Sequence, residues 1–178
     1  AVPAFDEDAV TMGIEAGTKA IIMAGIKSTD LQSVYFGSES HPYAVNPSST
    51  ILGEYLGIGN NYFAADLEFA CKAGTAAMQV VDSFIRSGQI RFGLAIGTDT
   101  AQSKPGDALE YTAASGAAAI LLGPTKHKNA LCHIDTTLSF TTDTPDFWRT
   151  ASDPYPRHAG RFTGSPGYFH HVRETIHR

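Results

Sequence analysis

Short apolar segments that alternate with segments of helical periodicity are the strongest constraint on the fold of this sequence. The predicted helices are 8–23, 48–56 and 72–87, and the predicted strands are 33–36, 61–65, 91–97 and 116–122. Strands that are apolar on both faces need cover on both sides of their sheet. The order therefore predicts an α/β domain whose sheet is covered by helices on both faces. We expect Ser48 or Ser49 to cap the second helix.

Cys71 stands where an extended segment breaks into the small-residue helix 72–87. A helix N-terminus favours anions through its unpaired N–H groups and its dipole, and Lys72 adds a positive charge beside the sulfur. A thiol in this place is a candidate nucleophile, and the same N–H groups are candidates to receive an oxyanion. The alternative is that Cys71 is a small buried hydrophobic residue, which is the commoner role of an isolated Cys.

Cys132 provides a contrast to Cys71. It lies in the alternating segment 129–135, which is typical of a strand. We therefore expect Cys132 to be structural.

Glu39 is the second candidate for chemistry, since it follows the end of the predicted strand 33–36. Ligands of open α/β sheets bind outside the carboxyl ends of the strands, where Cys71 is also expected. A carboxylate beside the thiol could act as a general acid or base in carbon–carbon bond formation. The alternative is a loop carboxylate that binds the hydroxyls of Ser38 and Ser40.

Composition excludes several classes of function. The chain of 178 residues carries a net charge of −5 and has no concentrated Lys/Arg cluster, so nucleic acid is not an expected partner. It contains no GxGxxG or P-loop motif, no Cys-x-x-Cys pair and no His residues at zinc-ligand spacing, so no NAD, ATP or metal site is predicted. The absence of an apolar run that could span a bilayer and the two cysteines favour a cytoplasmic protein.

The segment 140–167 differs from the rest of the chain. It is rich in Thr, Pro, Gly, Arg and aromatic residues and contains the only Trp, Trp148. A loop of this length in a compact domain is usually a lid or a binding loop. We therefore treat 1–178 as one domain with 140–167 as a lid or binding-loop insertion.

Five strings in the sequence together resemble a known family. They are GSESHPYAVNPSSTI, AADLEFACKAGTAA, GTDTAQSKPGDALEYTAASGAAA, TTDTPDFWR and PYPRHAGRFTGSP. They look like the archaeal-type hydroxymethylglutaryl-CoA synthases of the thiolase superfamily, over nearly the whole chain. The resemblance implies a thiolase-like fold, with a mixed sheet covered by helices on both faces, and a chain that forms the N-terminal half of a duplicated αβαβα architecture.

The resemblance also implies an activity and a site. The activity is condensation of acetyl-CoA with acetoacetyl-CoA through an acetyl-Cys intermediate, a step of the mevalonate and isoprenoid pathway, with these two thioesters as substrates and no further cofactor. Cys71 matches the nucleophile of the family and Glu39 its acid/base residue. Thr112 and Thr163 lie in loops that resemble substrate-contacting segments.

The chain departs from the family in what it lacks. The catalytic His and much of the CoA-binding surface of the family come from a second half, and an opening strand is expected before Ala1. His170 and His171 follow the predicted lid at the start of a helix, where a surface or capping role is commoner than catalysis. The family also suggests a homodimer and a complex with an acetoacetyl-CoA thiolase and an OB-fold zinc protein.

Two other functions remain open from the sequence. One is a ketoacyl-synthase-III-like or thiolase-like acyltransferase, which would use Cys71 but would not need Glu39. The other is a non-catalytic scaffold subunit of an acyltransferase complex.

Overall fold

The computed structural model describes all residues 1–178 and divides them into two compact units. The first unit comprises 1–101 and 114–133, and the second comprises 102–113 and 134–178. The first unit contains helices α1 (Ala9–Ala24), α2 (Ser48–Tyr55) and α3 (Ala73–Arg86), and strands β1 (Ser33–Gly37), β2 (Phe63–Leu67), β3 (Gly93–Asp99) and β4 (Gly116–Leu122). No helix of the structure combines the length and the apolar character that crossing a bilayer requires.

The first unit is built on a four-stranded mixed sheet in the order β2-β1-β3-β4. Strand β1 pairs in parallel with both β2 and β3, whereas β4 runs antiparallel to β3. The carboxyl ends of the three parallel strands therefore lie at one edge of the sheet, since Gly37 pairs with Leu67 on one side and with Gly97 on the other.

Alternate residues of the central strands point into two separate cores. Phe36 and Ile96 are fully buried in the core formed with α1 and α2, and the partly buried Ile14 and Ile51 of those helices pack against it. Tyr35 and Ala95, which stand next to them in the strands, join Val81 of α3 in the other core. Because each sheet face has its own helices, the prediction of a sheet covered on both sides is confirmed.

Helix α1 is set by capping at both ends. The carboxylate of Asp8 accepts a hydrogen bond from Thr11 N–H, and the Thr11 hydroxyl accepts one from Asp8 N–H, so the first turn has a reciprocal cap. Gly25 ends the helix with φ of 65°, a left-handed conformation that glycine adopts without a steric penalty. The predicted helix 8–23 is confirmed within one residue at each end.

Two local predictions are wrong. Helix α2 is preceded by Pro47 rather than capped by a serine, and the carboxylate of Asp66 on β2 accepts hydrogen bonds from the N–H groups of both Ser48 and Ser49. A charged partner from a neighbouring strand has replaced the local cap. The segment around Cys132 forms no strand, and its thiol is exposed. An alternating pattern of residues forms a strand only where a second strand is available to pair with it.

The second unit has little regular structure. It contains a 3₁₀ turn (Ala108–Tyr111), the two-residue strands β5 (Phe147–Trp148) and β6 (Arg157–His158), which pair antiparallel, and a π-helical segment (Thr163–Phe169) that continues into α4 (His170–Ile176). Most of the predicted lid, 140–167, is irregular, apart from these two short strands and the helical residues at its end. That the segment acts as a lid stays a prediction.

Candidate active site

Three glycines bring the start of helix α3 against the carboxyl ends of β1 and β3. A Cβ atom on Gly37 would lie 2.6 Å from the carbonyl carbon of Ala73, and one on Gly74 would lie 3.2 Å from Cα of Gly97. Any larger residue at Gly37 would clash with the helix backbone. The first turn of α3 is therefore held where side chains that leave the strands can meet it.

Cys71 lies in the 3₁₀ turn Ala70–Lys72, which leads directly into α3. Ala70 has φ of 39°, a left-handed conformation that costs a non-glycine residue about 1–2 kcal/mol. The turn after β2 is thus sharp, and it leaves the Cys71 thiol exposed. The prediction that Cys71 stands at the beginning of the helix is confirmed, and the alternative of a buried small hydrophobic residue is wrong for the chain as described.

The backbone donors around the thiol are partly occupied. Lys72 N–H donates to Phe69 O over 2.8 Å, and Ala73 N–H donates to Ala70 O. Cys71 N–H makes no hydrogen bond within the chain. It is a donor at the start of a helix that could receive an oxyanion formed on a group bound to its own sulfur.

Glu39 follows β1 and is fixed at its backbone by Asp99, the last residue of β3. Asp99 accepts the N–H of Glu39 over 3.0 Å with Oδ2 and the hydroxyl of Ser40 over 2.6 Å with Oδ1. The Glu39 carboxylate itself accepts a hydrogen bond from Ala70 N–H. The structure therefore brings Glu39 to the turn that carries Cys71, as the sequence predicts.

The serines beside Glu39 have other partners. Ser38 Oγ accepts the N–H of Ser40 over 2.9 Å, and Ser40 Oγ donates to Asp99. The alternative of a carboxylate bound by these hydroxyls is thus not what the structure contains. Sequence reasoning missed Asp99, although a carboxylate at the end of a central strand, at the same edge as Glu39, was a signal that could have identified it.

Lys72 follows Cys71 directly, and its ammonium contacts an aromatic ring of the same turn. Its Nζ atom lies 4.8 Å from the centroid of the Phe69 ring, a cation–π contact. No group of three or more His, Cys, Asp or Glu side chains is arranged to hold a metal ion. The reactive groups at this edge of the sheet are the Cys71 thiol, the Glu39 carboxylate and the backbone N–H of Cys71.

The two predicted substrate-contacting threonines both lie in the second unit. Thr112 ends the 3₁₀ turn Ala108–Tyr111, is exposed, and donates its hydroxyl proton to Leu109 O over 3.2 Å. Thr163 is half-buried and donates to Asp146 O over 3.1 Å. Both hydroxyls thus have local partners, and a role in substrate binding stays a prediction for each.

The two histidines of α4 have local partners as well. Both ring nitrogens of His171 make hydrogen bonds, Nε2 with the Thr142 hydroxyl over 2.8 Å and Nδ1 with Gly167 O over 2.5 Å. His170 lies 3.8 Å from the carboxylate of Glu174, one helical turn further on. That these histidines have a surface or capping role rather than a catalytic one stays a prediction.

The chain is similar to one known protein family over part of its length and to several curated proteins over nearly all of it. Residues 65–139 match the family described as 3-oxoacyl-(acyl-carrier-protein) synthase III. The chain is 58% identical over 171 residues to the hydroxymethylglutaryl-CoA synthase of Archaeoglobus fulgidus, covering 96% of this chain and 49% of that protein. It is 55% identical over 172 residues to the enzyme of the same name from Methanocaldococcus jannaschii, covering 97% of this chain and 49% of that protein.

Solved structures share the fold. One of MvaS in complex with 3-hydroxy-3-methylglutaryl coenzyme A superposes with a TM-score of 0.81 at 22% identity, over 88% of this chain and 38% of the other. One of a cysteine variant of Xanthomonas campestris OleA with bound lauric acid and lauroyl-CoA gives a TM-score of 0.82 at 18% identity, over 98% of this chain and 57% of the other. The thiolase-like fold expected from the sequence is confirmed.

The resemblance to archaeal hydroxymethylglutaryl-CoA synthases is confirmed by these relatives, and the chain spans about half the length of the curated relatives that it matches.

Proposed function

We propose that this chain is one part of a hydroxymethylglutaryl-CoA synthase that condenses acetyl-CoA with acetoacetyl-CoA through an acetyl group carried on Cys71. The observation that carries the proposal is the hydrogen bond between the Glu39 carboxylate and the turn of Cys71. The high identity to archaeal synthases supports the choice of these substrates.

The first step is acylation of the thiol. The Cys71 thiolate attacks the carbonyl carbon of acetyl-CoA, and the bond to the CoA sulfur breaks, so that CoA leaves as a thiolate and takes up a proton. The negative charge on the carbonyl oxygen in the tetrahedral intermediate is received by Cys71 N–H at the start of the helix. Exposure of the sulfur allows the large thioester to reach it.

The second step is carbon–carbon bond formation. Glu39 removes a proton from the methyl group of the acetyl-Cys71 thioester, and the enolate attacks the ketone carbon of acetoacetyl-CoA. The ketone oxygen takes a proton from a further acid, a role that the resemblance assigns to a histidine outside this chain. Water then cleaves the thioester to Cys71, which releases hydroxymethylglutaryl-CoA and restores the thiol.

The proposal includes a second half of the protein, which would pack against this chain. The chain spans about half of its relatives, and it exposes many large hydrophobic side chains. In the first unit these include Val2, Phe5, Ile22, Met23, Tyr55, Phe63, Phe69 and Ile120. Exposed apolar surface on this scale is typical of an interface. A homodimer and a complex with an acetoacetyl-CoA thiolase and an OB-fold zinc protein rest on the resemblance alone, and a cytoplasmic location rests on the two cysteines and the lack of a long apolar run.

A ketoacyl-synthase-III-like acyltransferase is the second candidate. It is favoured by the family match over 65–139, which includes Cys71 but not Glu39. Such an enzyme acylates the same cysteine but needs no carboxylate at position 39. The role of Glu39 therefore separates the two candidates.

The test is a steady-state assay of the full-length protein with acetyl-CoA and acetoacetyl-CoA, in which hydroxymethylglutaryl-CoA is identified by mass spectrometry. We expect the wild type and the control variant Cys132→Ser to form this product and Cys71→Ser to form none. A wild-type protein that acylates Cys71 but forms another condensation product would refute the synthase and favour the acyltransferase. A full-length protein that never acylates Cys71 would favour the scaffold role.

A further inference from the structure

A buried histidine lies just beyond Glu39 and takes no part in the proposed chemistry. The side chain of His41 is 9% exposed, and its ring packs on Phe36 of β1 with the centroids 5.5 Å apart. Nδ1 lies 2.8 Å from Ser48 Oγ, within hydrogen-bond distance, and 3.4 Å from Oδ2 of Asp66. His41 is therefore fixed by an aromatic contact and by two polar neighbours.

Asp66 joins three segments at this point. On β2 it pairs with Phe36 of β1, and its carboxylate accepts Ser48 N–H over 2.6 Å and Ser49 N–H over 2.9 Å. Asp66 also lies shortly before the turn that carries Cys71. The Asp66 carboxylate thus contacts both the start of α2 and His41. The strand on which it lies, β2, leads to the turn of Cys71.

Between His41 and α2 the loop has no buried side chain. Every residue from 42 to 47 is exposed, and Asn46 has φ of 117°, which side chains rarely adopt. Glu39 is held on one side by Asp99, through its backbone N–H. After Ser40, whose hydroxyl donates to the same Asp99, the next side-chain contact is that of His41 with Ser48 and Asp66 on β2.

We propose that His41 is a positioning residue. Its Nδ1 contact with Ser48 and Asp66 fixes the loop that carries Glu39 against β2, the strand that leads to Cys71. The contact thereby determines the position of the Glu39 carboxylate relative to the Cys71 thiol. The inference rests on the proposed function. It predicts that loss of the contact slows the step that needs Glu39 and leaves the acylation of Cys71 intact.

The geometry of the contact gives matched variants. Asparagine places a polar side-chain atom near the position of Nδ1, whereas glutamine places its amide near the position of Nε2, which has no hydrogen-bond partner in the structure. His41→Asn therefore preserves the contact and His41→Gln removes it. His127→Gln is a control in another part of the first unit, where the ring packs on Phe92 at 5.5 Å.

The experiment uses the full-length protein and measures acetylation of Cys71 and condensation separately. We expect His41→Gln to slow condensation about 10–100-fold, since small displacements of a catalytic group have effects of this size. We expect acetylation within about threefold of wild type, and we expect His41→Asn and His127→Gln to match wild type in both steps. Equal effects of His41→Asn and His41→Gln on condensation, or wild-type condensation in His41→Gln, would overturn the proposal.

A second measurement separates failure of this inference from failure of the proposed function. The Ala70 N–H is bonded to the Glu39 carboxylate, so its hydrogen exchange reports the position of Glu39 whatever reaction the protein performs. We expect faster exchange at Ala70 in His41→Gln than in His41→Asn. If His41→Gln does not fold, Ser48→Ala removes the 2.8 Å contact alone and is expected to give the same exchange result. Unchanged exchange at Ala70 would refute the positioning role.

Discussion

The Glu39 carboxylate accepts a hydrogen bond from the backbone N–H of Ala70, the residue immediately before Cys71. This contact joins the ends of two parallel neighbouring strands, because Glu39 follows β1 and Cys71 follows β2. The left-handed conformation of Ala70 turns the chain sharply at this point. The proposed acid/base group and the proposed nucleophile are thereby held at the same turn.

Substitution of Glu39 separates the two steps of the proposed reaction. We expect Glu39→Gln to accept an acetyl group on Cys71 at close to the wild-type rate and to lose condensation by about 10²–10⁴-fold, the usual contribution of a general acid or base. Rapid-quench mass spectrometry of the acetyl adduct and chromatography of the product measure the two steps.

The exposed Glu68 provides a matched control for this substitution. It is the same residue type, it stands shortly before Ala70 and Cys71 in the chain, and its side chain does not make the contact with Ala70 N–H. We expect Glu68→Gln to condense at the wild-type rate. Condensation in Glu39→Gln at the rate of this control would contradict the acid/base role and favour the ketoacyl-synthase-III-like candidate.

Substitution of Gly37 tests the close approach of α3 to the sheet. A Cβ atom on Gly37 would meet the backbone of Ala73 and Gly74 at 2.6 and 2.7 Å. We expect Gly37→Ala to lower the free energy of unfolding by about 1–3 kcal/mol, as overpacking of a core does, and to displace the turn of Cys71. Denaturant titration of the full-length protein measures the change in stability.

Gly116 on β4 provides the comparison, since no atom lies within 4 Å of a Cβ built there. Gly116→Ala should leave the unfolding midpoint near that of wild type. The packing argument would be wrong if the two alanine variants were equally stable.

Tyr35 is expected to make stability depend on pH in the alkaline range. Burial in the core beside α3 raises the pKa of the Tyr35 phenol above its usual value of 10.0. Above a pH of about 10 the unfolded chain loses this proton more readily than the folded chain, so the free energy of unfolding falls as pH rises. We expect Tyr35→Phe to remove this part of the decline, as measured by denaturant midpoints across the alkaline range. An unchanged slope in Tyr35→Phe would refute the assignment.

Much of the fold follows from periodicity alone. The helix predicted over 72–87 is Ala73–Arg86, and the strand predicted over 116–122 is Gly116–Leu122, because both segments have a clear apolar pattern. The strand predicted over 61–65 is shifted to Phe63–Leu67, since its end is set by pairing with β1 rather than by the residues themselves. Cys132 shows the same limit, as its alternating segment has no strand to pair with.

The candidate site is predictable in part. Cys71 and Glu39 could be identified because each follows a strand and carries a reactive group. Asp66 could not, because the two backbone N–H groups that it accepts, those of Ser48 and Ser49, are distant from it in the sequence. The proposed role of His41 rests on its contacts with Ser48 and Asp66. These contacts follow from the packing of α2 against β2, which the sequence alone does not give.

The most direct test of the central claim is the denatured mass of the full-length protein before and after incubation with acetyl-CoA, followed by peptide mapping. The account predicts a gain of one acetyl group on the peptide that contains Cys71, and none on the peptide that contains Cys132. A full-length protein that gains no acetyl group, or gains it elsewhere, would contradict the assignment of Cys71 as the nucleophile.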